Sequence, residues 1–487
     1  MRGQLGRALI AAAAMVALMA DVAAQPALPA FQSRDWRGRP IDYVCNAAAG
    51  DSEGLRQALI RHELFRIGAD TKAETRWYYG DRLRTARLRT QEATGAEIVD
   101  RIRQRLRADT DSVATSVLVY DVGVRRGQAM LCAWLITADG IAAAETVPVT
   151  TSARVKLGGF AQGARDALGV TRLTLARAPR PRARAAPAKA VPAAVPSAIA
   201  AGTDGLDAVS QLLLPPSLRR ALVESRSERL LVLPAADFST VPFAALPVDG
   251  RELVDFASIV ILTGVDELVA PLGREIWSRR FSDPALSRLI VADPDSRKDA
   301  MQWDALPGAR EEARLVASLS AGMAGAPLMG ADATRAAVTR ALHSDRLGFI
   351  YFATHGVADD LDPLVRSFLL LSGGRLHVKE IAGQRHEHHP LVVMSACQSG
   401  LGKTFEGGTF GLARGWLTAG ASQVVTSLWD IGDETTKDLM ADFVARMVND
   451  RMRPELALRA AMLAARDQRK LPAAAWAGFA FLGFASE

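Results

Sequence analysis

Two short apolar runs end in side chains able to do covalent chemistry. "LVVMSA" at residues 391–396 leads into Cys397 and then turns polar and glycine-rich through Gln398, Ser399 and Gly400. "FIYFAT" at 349–354 leads into His355 and Gly356. A thiolate is a strong nucleophile, and an imidazole beside it can take or hold the thiol proton while sulfur attacks a carbonyl. A buried strand can use cysteine as a small hydrophobe. Placing it at the exit, ahead of a polar turn, suits a thiol presented at a strand end. Gly356 leaves room for a substrate carbonyl to approach backbone N–H groups, and the N–H of Cys397 would be the second donor to a tetrahedral oxyanion.

For these groups to meet, the two runs must be neighbouring strands that point the same way. In an open parallel sheet, reacting side chains gather beyond the carboxyl ends of the strands, and adjacent strands lie about 5 Å apart. The chain after residue 203 has the pattern this needs. "RLLVLP", "LIVAD", "FIYFAT", "LVVMSA" and "QVVTSLW" have the length and apolarity of fully buried strands. "AREEARLVASLS", "ATRAAVTRALH", "TFGLARGWLTAG" and "ETTKDLMADFVARMV" read as intervening helices, and "PELALRAAMLAARDQ" as a further covering helix with Pro454 in its first turn. Buried strands alternating with helices predict an α/β fold: a parallel-sheet core with helices on both faces.

Ahead of it, residues 96–176 read as a smaller N-terminal α/β subdomain, with a helix at "EIVDRIRQRLRA" and strands at "SVATSVLVY", "AMLCAWLIT" and "ETVPVT". Residues 25–95 are weakly patterned and mostly helical, "LRQALIRHELF" being the best helix. Between the two halves, residues 177–202 carry Arg177, Arg180, Arg182, Arg184 and Lys189, five prolines and no acidic residue. Repeated proline favours extended chain, so this is an exposed basic linker; it reads as simply solvated, or as a surface for an anionic partner or a processing site.

At 487 residues, with 49% hydrophobic and 23% charged residues and a net charge of +6, the composition is that of an ordinary multi-domain globular protein. Arg2 and Arg7 precede an apolar stretch from Ala8 to Ala20, with small residues at Val22 and Ala24, the pattern of a secretory signal over residues 1–24. The run is short for a bilayer, so no transmembrane segment is expected in the mature chain, and the expected location is secreted or periplasmic in a Gram-negative bacterium. Export makes disulfides permissible. Three cysteines leave one unpaired. Cys132 reads either as buried core or as bridged to Cys45, and Cys397 is then the free thiol.

Other chemistries are poorly served. "RHEHHP" groups His386, Glu387, His388 and His389, but the zinc-peptidase spacing would need histidine where Pro390 stands, so no metal site is assigned. "GLGKT" lacks the glycine spacing of a phosphate loop, no cofactor is implied, and no basic motif interleaved with aromatics points to nucleic acid.

The ordered motifs "FIYFATHGVADDLDPLVRSFLLLSGG", "LVVMSACQSGLG", "GGTFGLARGWLTAGASQVVTSLWDIGDETTKDLMADFV" and the later "WAGFAFLG" closely resemble the CHAT domain, a family of caspase-like cysteine peptidases related to separases. The resemblance extends from about residue 97 to 485. It implies a caspase-like core with Cys397 as nucleophile, His355 as catalytic histidine, and the backbone of Gly356 and Cys397 as oxyanion hole. It aligns "VVTSLWD" with the strand lining the pocket for the residue before the scissile bond. Ser427, Trp429 and Asp430 are then pocket candidates, with Asp359, Asp360 and Asp433 able to add acidic character that favours a basic substrate side chain. Asp430 reads alternatively as a helix cap and Trp429 as core. The activity implied is an endopeptidase acting on peptide or protein substrates, latent until activated by a partner or by cleavage. A non-catalytic binding or scaffold protein on the same fold is the rival.

Overall fold

Runs such as "RLLVL", "LGFIYFA", "LVVM" and "QVVTS" are apolar at nearly every position, which suits strands covered on both faces. In the computed structural model of the chain all four are fully buried strands of one sheet. The structure describes residues 45–48, 50–70, 93–108, 113–125, 128–149, 160–168, 170, 203–269, 280–297, 299, 301, 303–405 and 408–483. The signal at 1–24 and the linker at 177–202 lie outside these residues, as does much of 25–95.

Eleven strands make up the main sheet: β1 (Thr115–Arg125), β2 (Gln128–Thr137), β3 (Gly140–Pro148), β4 (Arg229–Leu233), β5 (Ser258–Ile261), β6 (Ser287–Pro294), β7 (Leu328–Gly330), β8 (Leu347–Ala353), β9 (Leu391–Met394), β10 (Gln423–Ser427) and β11 (Phe479–Leu482). Their spatial order is β3-β2-β1-β4-β5-β11-β10-β9-β8-β6-β7. Pairing is parallel from β1 through β4 and β5 to β11, and again from β10 through β9, β8 and β6 to β7. The two blocks meet antiparallel, β11 against β10, with Val425 opposite Phe481. The expectation of a single parallel sheet is therefore refined to two parallel blocks of opposite direction. The N-terminal α/β unit is likewise no separate layer: β1 pairs directly with β4, and the antiparallel β2 and β3 extend the same sheet.

The helices that bear on the site and its frame are α1 (Ser52–Asp70), α2 (Gly95–Ala108), α3 (Pro307–Leu319), α4 (Leu412–Thr418), α5 (Asp433–Val448) and α6 (Pro454–Asp467). The helix anticipated from "TFGLARGWLTAG" is confined to α4. The glycines before it form instead a small hairpin, Gly402–Phe405 against Gly408–Gly411. No helix among the described residues is long and apolar enough to cross a membrane.

Two long-range ties hold the sheet's first block. Cys45 and Cys132 form a disulfide that closes a loop of 87 residues. Beside it, Ala47 donates its N–H to Thr146 Oγ1 at 2.7 Å, so the segment leading to α1 lies along β3. The second tie is a buried ion pair. Arg229, at the start of β4, places Nε 2.9 Å from Glu455 Oε1 on α6, and Arg453 reaches the same oxygen at 2.8 Å. Arg229 also donates to Thr115 Oγ1 at the start of β1. Burial alone would raise the Glu455 carboxyl, but the two guanidinium groups outweigh it and hold it below the ordinary range.

Glu455→Gln is expected to lose about 3–5 kcal/mol in urea denaturation, because Arg229 would be left buried and uncompensated. A depressed carboxyl stabilises above its unfolded pKa and loses that contribution as pH falls through the folded value. The wild type should therefore lose stability in acid more steeply than Glu455→Gln. Cys45→Ser, by opening the loop, is expected to cost about 4 kcal/mol in the same measurement.

Candidate active site

The two strand exits singled out by the sequence are brought together by register. β8 and β9 are adjacent and parallel, with Phe349 opposite Leu391 and Phe352 opposite Met394. His355 and Cys397 each lie three residues beyond that last pair, at equal depth past the carboxyl edge. Both are half-buried.

The loop carrying the thiol is held by β10. Gln398 takes a left-handed turn (φ 56°), and the Ser399 N–H closes back on the Ala396 carbonyl at 3.2 Å. Ser399 Oγ donates to the Met394 carbonyl at 3.3 Å and accepts the Ser427 N–H at 3.0 Å, while Ser427 Oγ donates to the Ala396 carbonyl at 2.6 Å. The Gly400 N–H adds a bond to the Ser427 carbonyl at 2.8 Å. Any side chain at 400 would come within 2.5 Å of Thr426 Oγ1, so only glycine lets the loop lie this close.

The thiol faces an anion. Cys397 Sγ donates to Asp430 Oδ1 at 2.7 Å, just past the end of β10. Burial pushes the thiol well above its ordinary value, and the negative charges of Asp430 and, more weakly, Asp433 push the same way. In the resting site sulfur is therefore a protonated thiol.

The imidazole has its own partner. His355 Nε2 lies 2.7 Å from the carbonyl oxygen of Asp304. A carbonyl only accepts, so Nε2 carries a proton, and in the neutral ring Nδ1 is the nitrogen with the lone pair. The Trp303 ring lies over the imidazole, 5.0 Å between centroids, and sets its edge against Phe368. The segment holding Trp303 and Asp304 is fixed at both ends. The Leu306 N–H donates to Asp293 Oδ1 at 3.1 Å, and Gly308 and Ala309, in the first turn of α3, donate to the Asp433 carboxylate.

Gly356 is spatially constrained. A Cβ there would stand 2.8 Å from the Cys397 carbonyl oxygen. Leu370 donates to the His355 carbonyl at 2.9 Å, which makes Gly356 and Leu369 the non-hydrogen-bonded pair of that hairpin. The Gly356 N–H thus points away from the ladder.

Of the pocket candidates, the structure brings one to the thiol. Asp430 is exposed and bonded to it. Ser427 is buried and spent on the nucleophile loop. Trp429 is buried, its Nε1 donating to the Ala474 carbonyl at 2.8 Å, and its ring lies so close to Gly478 that a Cβ there would collide. Both serve as supports, Ser427 because β10 is a central strand with covered faces and Trp429 because it packs in the core just past that strand's end. Asp360 is exposed on the loop after His355. Asp359 braces that loop by accepting the N–H groups of Leu361 and Asp362 and pairing with Arg366 at 2.9 Å. Asp433, expected to add acidity to the pocket, caps α3.

Two of the three histidines of "RHEHHP" are engaged within the fold, and His388 is exposed. His386 is buried and stacked on Trp416, where burial lowers its pKa to about 4, and His389 Nδ1 bonds the Gly420 carbonyl. Among the described residues no group of three or more His, Cys, Asp or Glu could hold a metal ion.

Sequence reasoning missed Trp303 and Asp304, since a backbone carbonyl leaves no signature in residue type. It also missed Glu312 on α3, buried and bonded by the Tyr351 hydroxyl at 2.6 Å, with its carboxyl raised to about 7 chiefly by burial. A glutamate on the apolar face of "AREEARLVASL" was the available clue.

Among solved structures, the chain is similar to the Arg-specific cysteine proteinase gingipain R (8% identity, TM-score 0.37, 59% of this chain and 68% of that one). It is also similar to the complex of Porphyromonas gingivalis RgpB pro- and mature domains (9%, 0.36, 58% and 69%). A third likeness is to the Saccharomyces cerevisiae separase–securin complex (11%, 0.48, 89% of this chain), where the match spans only 34% of that chain. No curated protein matched the sequence. The family model of the CHAT domain matches residues 203–484. That match takes in both strand exits and more than half of the sequence, and the chain belongs to the CHAT domain family.

Proposed function

We propose that the chain is a cysteine endopeptidase that cleaves peptide or protein substrates after a basic residue and rests in a latent state. The observation that carries this reading is the matched exit of His355 and Cys397 from adjacent parallel strands. Sulfur gives its proton to His355 Nδ1 and attacks the carbonyl carbon before the scissile bond. The oxyanion takes the N–H groups of Gly356 and Cys397. The proton passes from His355 to the leaving amine as the C–N bond breaks, and water then hydrolyses the thioester with His355 again acting as base.

Asp430 has two parts in this scheme. It is the exposed carboxylate beside the thiol, and so the natural partner of an arginine or lysine side chain. Until such a cation arrives, it holds the thiol protonated. Latency follows from that bond, and an activating protein partner or cleavage in the basic linker would act by drawing Asp430 away. The Cys45–Cys132 disulfide favours an exported, periplasmic or secreted protein. The thiol's bond to a carboxylate, rather than to the imidazole, favours the second reading, a non-catalytic binding protein on the same fold.

The deciding experiment uses fluorogenic peptides and a thiol-reactive peptide warhead, each carrying Arg or Lys before the reactive group. Cys397→Ala is expected to abolish hydrolysis and labelling, and His355→Ala to lower both by about 10²–10⁴-fold. Equal, slow labelling of wild type and His355→Ala would mean an ordinary thiol, and the binding reading would replace the peptidase. Asp430→Asn should move the pH profile of iodoacetamide alkylation at Cys397 to lower pH, because a carboxylate that raises the thiol is gone. The same variant should lose the preference for Arg and Lys over neutral residues.

A further inference from the structure

Asp433 is further from the thiol than Asp430 and is engaged elsewhere. Its Oδ2 accepts the Gly308 N–H at 2.6 Å and its Oδ1 the Ala309 N–H at 2.9 Å. These are among the orphan donors of the first turn of α3, and a carboxylate there also meets the positive end of the helix. The contact crosses between segments far apart in sequence. It joins the stretch that leaves β10 through Asp430 to the helix whose leading residues, Trp303 and Asp304, contact His355.

A second observation shows that the contact is built in. A Cβ on Gly308 would stand 2.6 Å from Asp433 Oδ2 and 2.7 Å from its Cγ, so a glycine at this position is what admits the carboxylate. From Gly308 the path to the imidazole is short. Leu306 is pinned to Asp293, and Asp304 turns its carbonyl onto His355 Nε2 at 2.7 Å with the tilted Trp303 ring 5.0 Å from the imidazole.

We infer that Asp433 is a positioning residue for His355: by holding the first turn of α3 it sets the Asp304 carbonyl that fixes the imidazole tautomer, and so couples the Asp430 side of the site to the histidine. Without that acceptor, Nε2 has no reason to keep the proton, and the ring divides between two neutral tautomers, only one of which leaves Nδ1 free as a base. The role rests on His355 being the base proposed above. It is distinct from any effect of the Asp433 charge on the thiol, since it acts through the α3 backbone.

The test is NMR of the full chain labelled with ¹⁵N-histidine, His355 being assigned by its absence in His355→Ala. Wild type should show His355 as one neutral tautomer protonated at Nε2. Asp433→Ala should lose that single-tautomer signature. Asp433→Asn, which removes the charge but keeps one acceptor oxygen, should retain it while iodoacetamide alkylation of Cys397 moves to lower pH. Gly308→Ala, which displaces the carboxylate from the other side, should reproduce Asp433→Ala and serves if that variant does not fold. If Asp433→Ala lowers the melting temperature but leaves the His355 tautomer unchanged, Asp433 is a helix cap and nothing more. Mixed tautomers in wild type would overturn the inference as well. None of these readouts needs turnover. A responsive His355 in a chain that hydrolyses nothing would sink only the peptidase reading, and hydrolysis with an unresponsive His355 would sink only this one.

Discussion

The parallel register between β8 and β9 is the constraint on which the site depends. With Phe352 opposite Met394, the next residues of both strands leave the sheet together, and thiol and imidazole emerge at one edge. A slip of one residue in either strand would turn its side chains to the opposite face and separate the two groups. Both strands are buried along their whole length, so a slip would also carry large apolar groups out of register with the helices that cover them. Reactivity and core packing are therefore specified by the same set of contacts. The Ser399 and Ser427 bonds continue that specification beyond the last paired residue, where the sheet itself no longer acts.

In the resting site each reacting group is satisfied by something other than its counterpart. The thiol donates to Asp430 and the imidazole to Asp304. Both are hydrogen bonds rather than covalent ties, and each can be exchanged for another polar contact. A protonated thiol is also far less prone to oxidation than a thiolate. In a chain that carries a formed disulfide, the carboxylate next to Cys397 thus protects the thiol as well as restraining it. Restraint and protection come from a single electrostatic arrangement.

How much of this was legible in the sequence depends on how far each feature rests on local pattern. The strands ending at His355 and Cys397 were readable because continuous apolar runs leading into a polar turn have few other structural solutions. Asp430 was readable as a residue just past a strand end. β5 was not, since "SIVI" is too short to stand out. The antiparallel strand at residues 479–482 could be noted as a motif, but its place between β5 and β10 is decided by tertiary packing alone. "TFG" looked like the start of a helix because the residues after it are helical, whereas Gly411 and the facing Gly402 allow the close approach of two backbones in a hairpin. Ser427 and Trp429 were expected to face substrate; a central strand gives Ser427 to the covered layers, and Trp429 just past its end is drawn into the core. Asp433 could have been read as lining a cleft or as capping a distant helix, and only the fold brings Gly308 within its reach.

The position of β11 carries a consequence for the order in which the molecule comes into being. It is the last strand in the described chain, yet it lies at the centre of the sheet, parallel to β5 on one side and antiparallel to β10 on the other. The backbone of Gly478 and Ala474, just ahead of it, also accepts bonds from Leu428 and Trp429, immediately before Asp430. While the chain is being made, the two blocks of strands have nothing between them, and the segment bearing Asp430 lacks its support. Cys397, His355 and Asp430 are all synthesised before β11 and share the directly paired strands β8, β9 and β10, but the bonds of Leu428 and Trp429 that brace the segment leading to Asp430 need the residues just ahead of β11. The bracing of the Asp430 segment thereby waits for the last strand of the described chain.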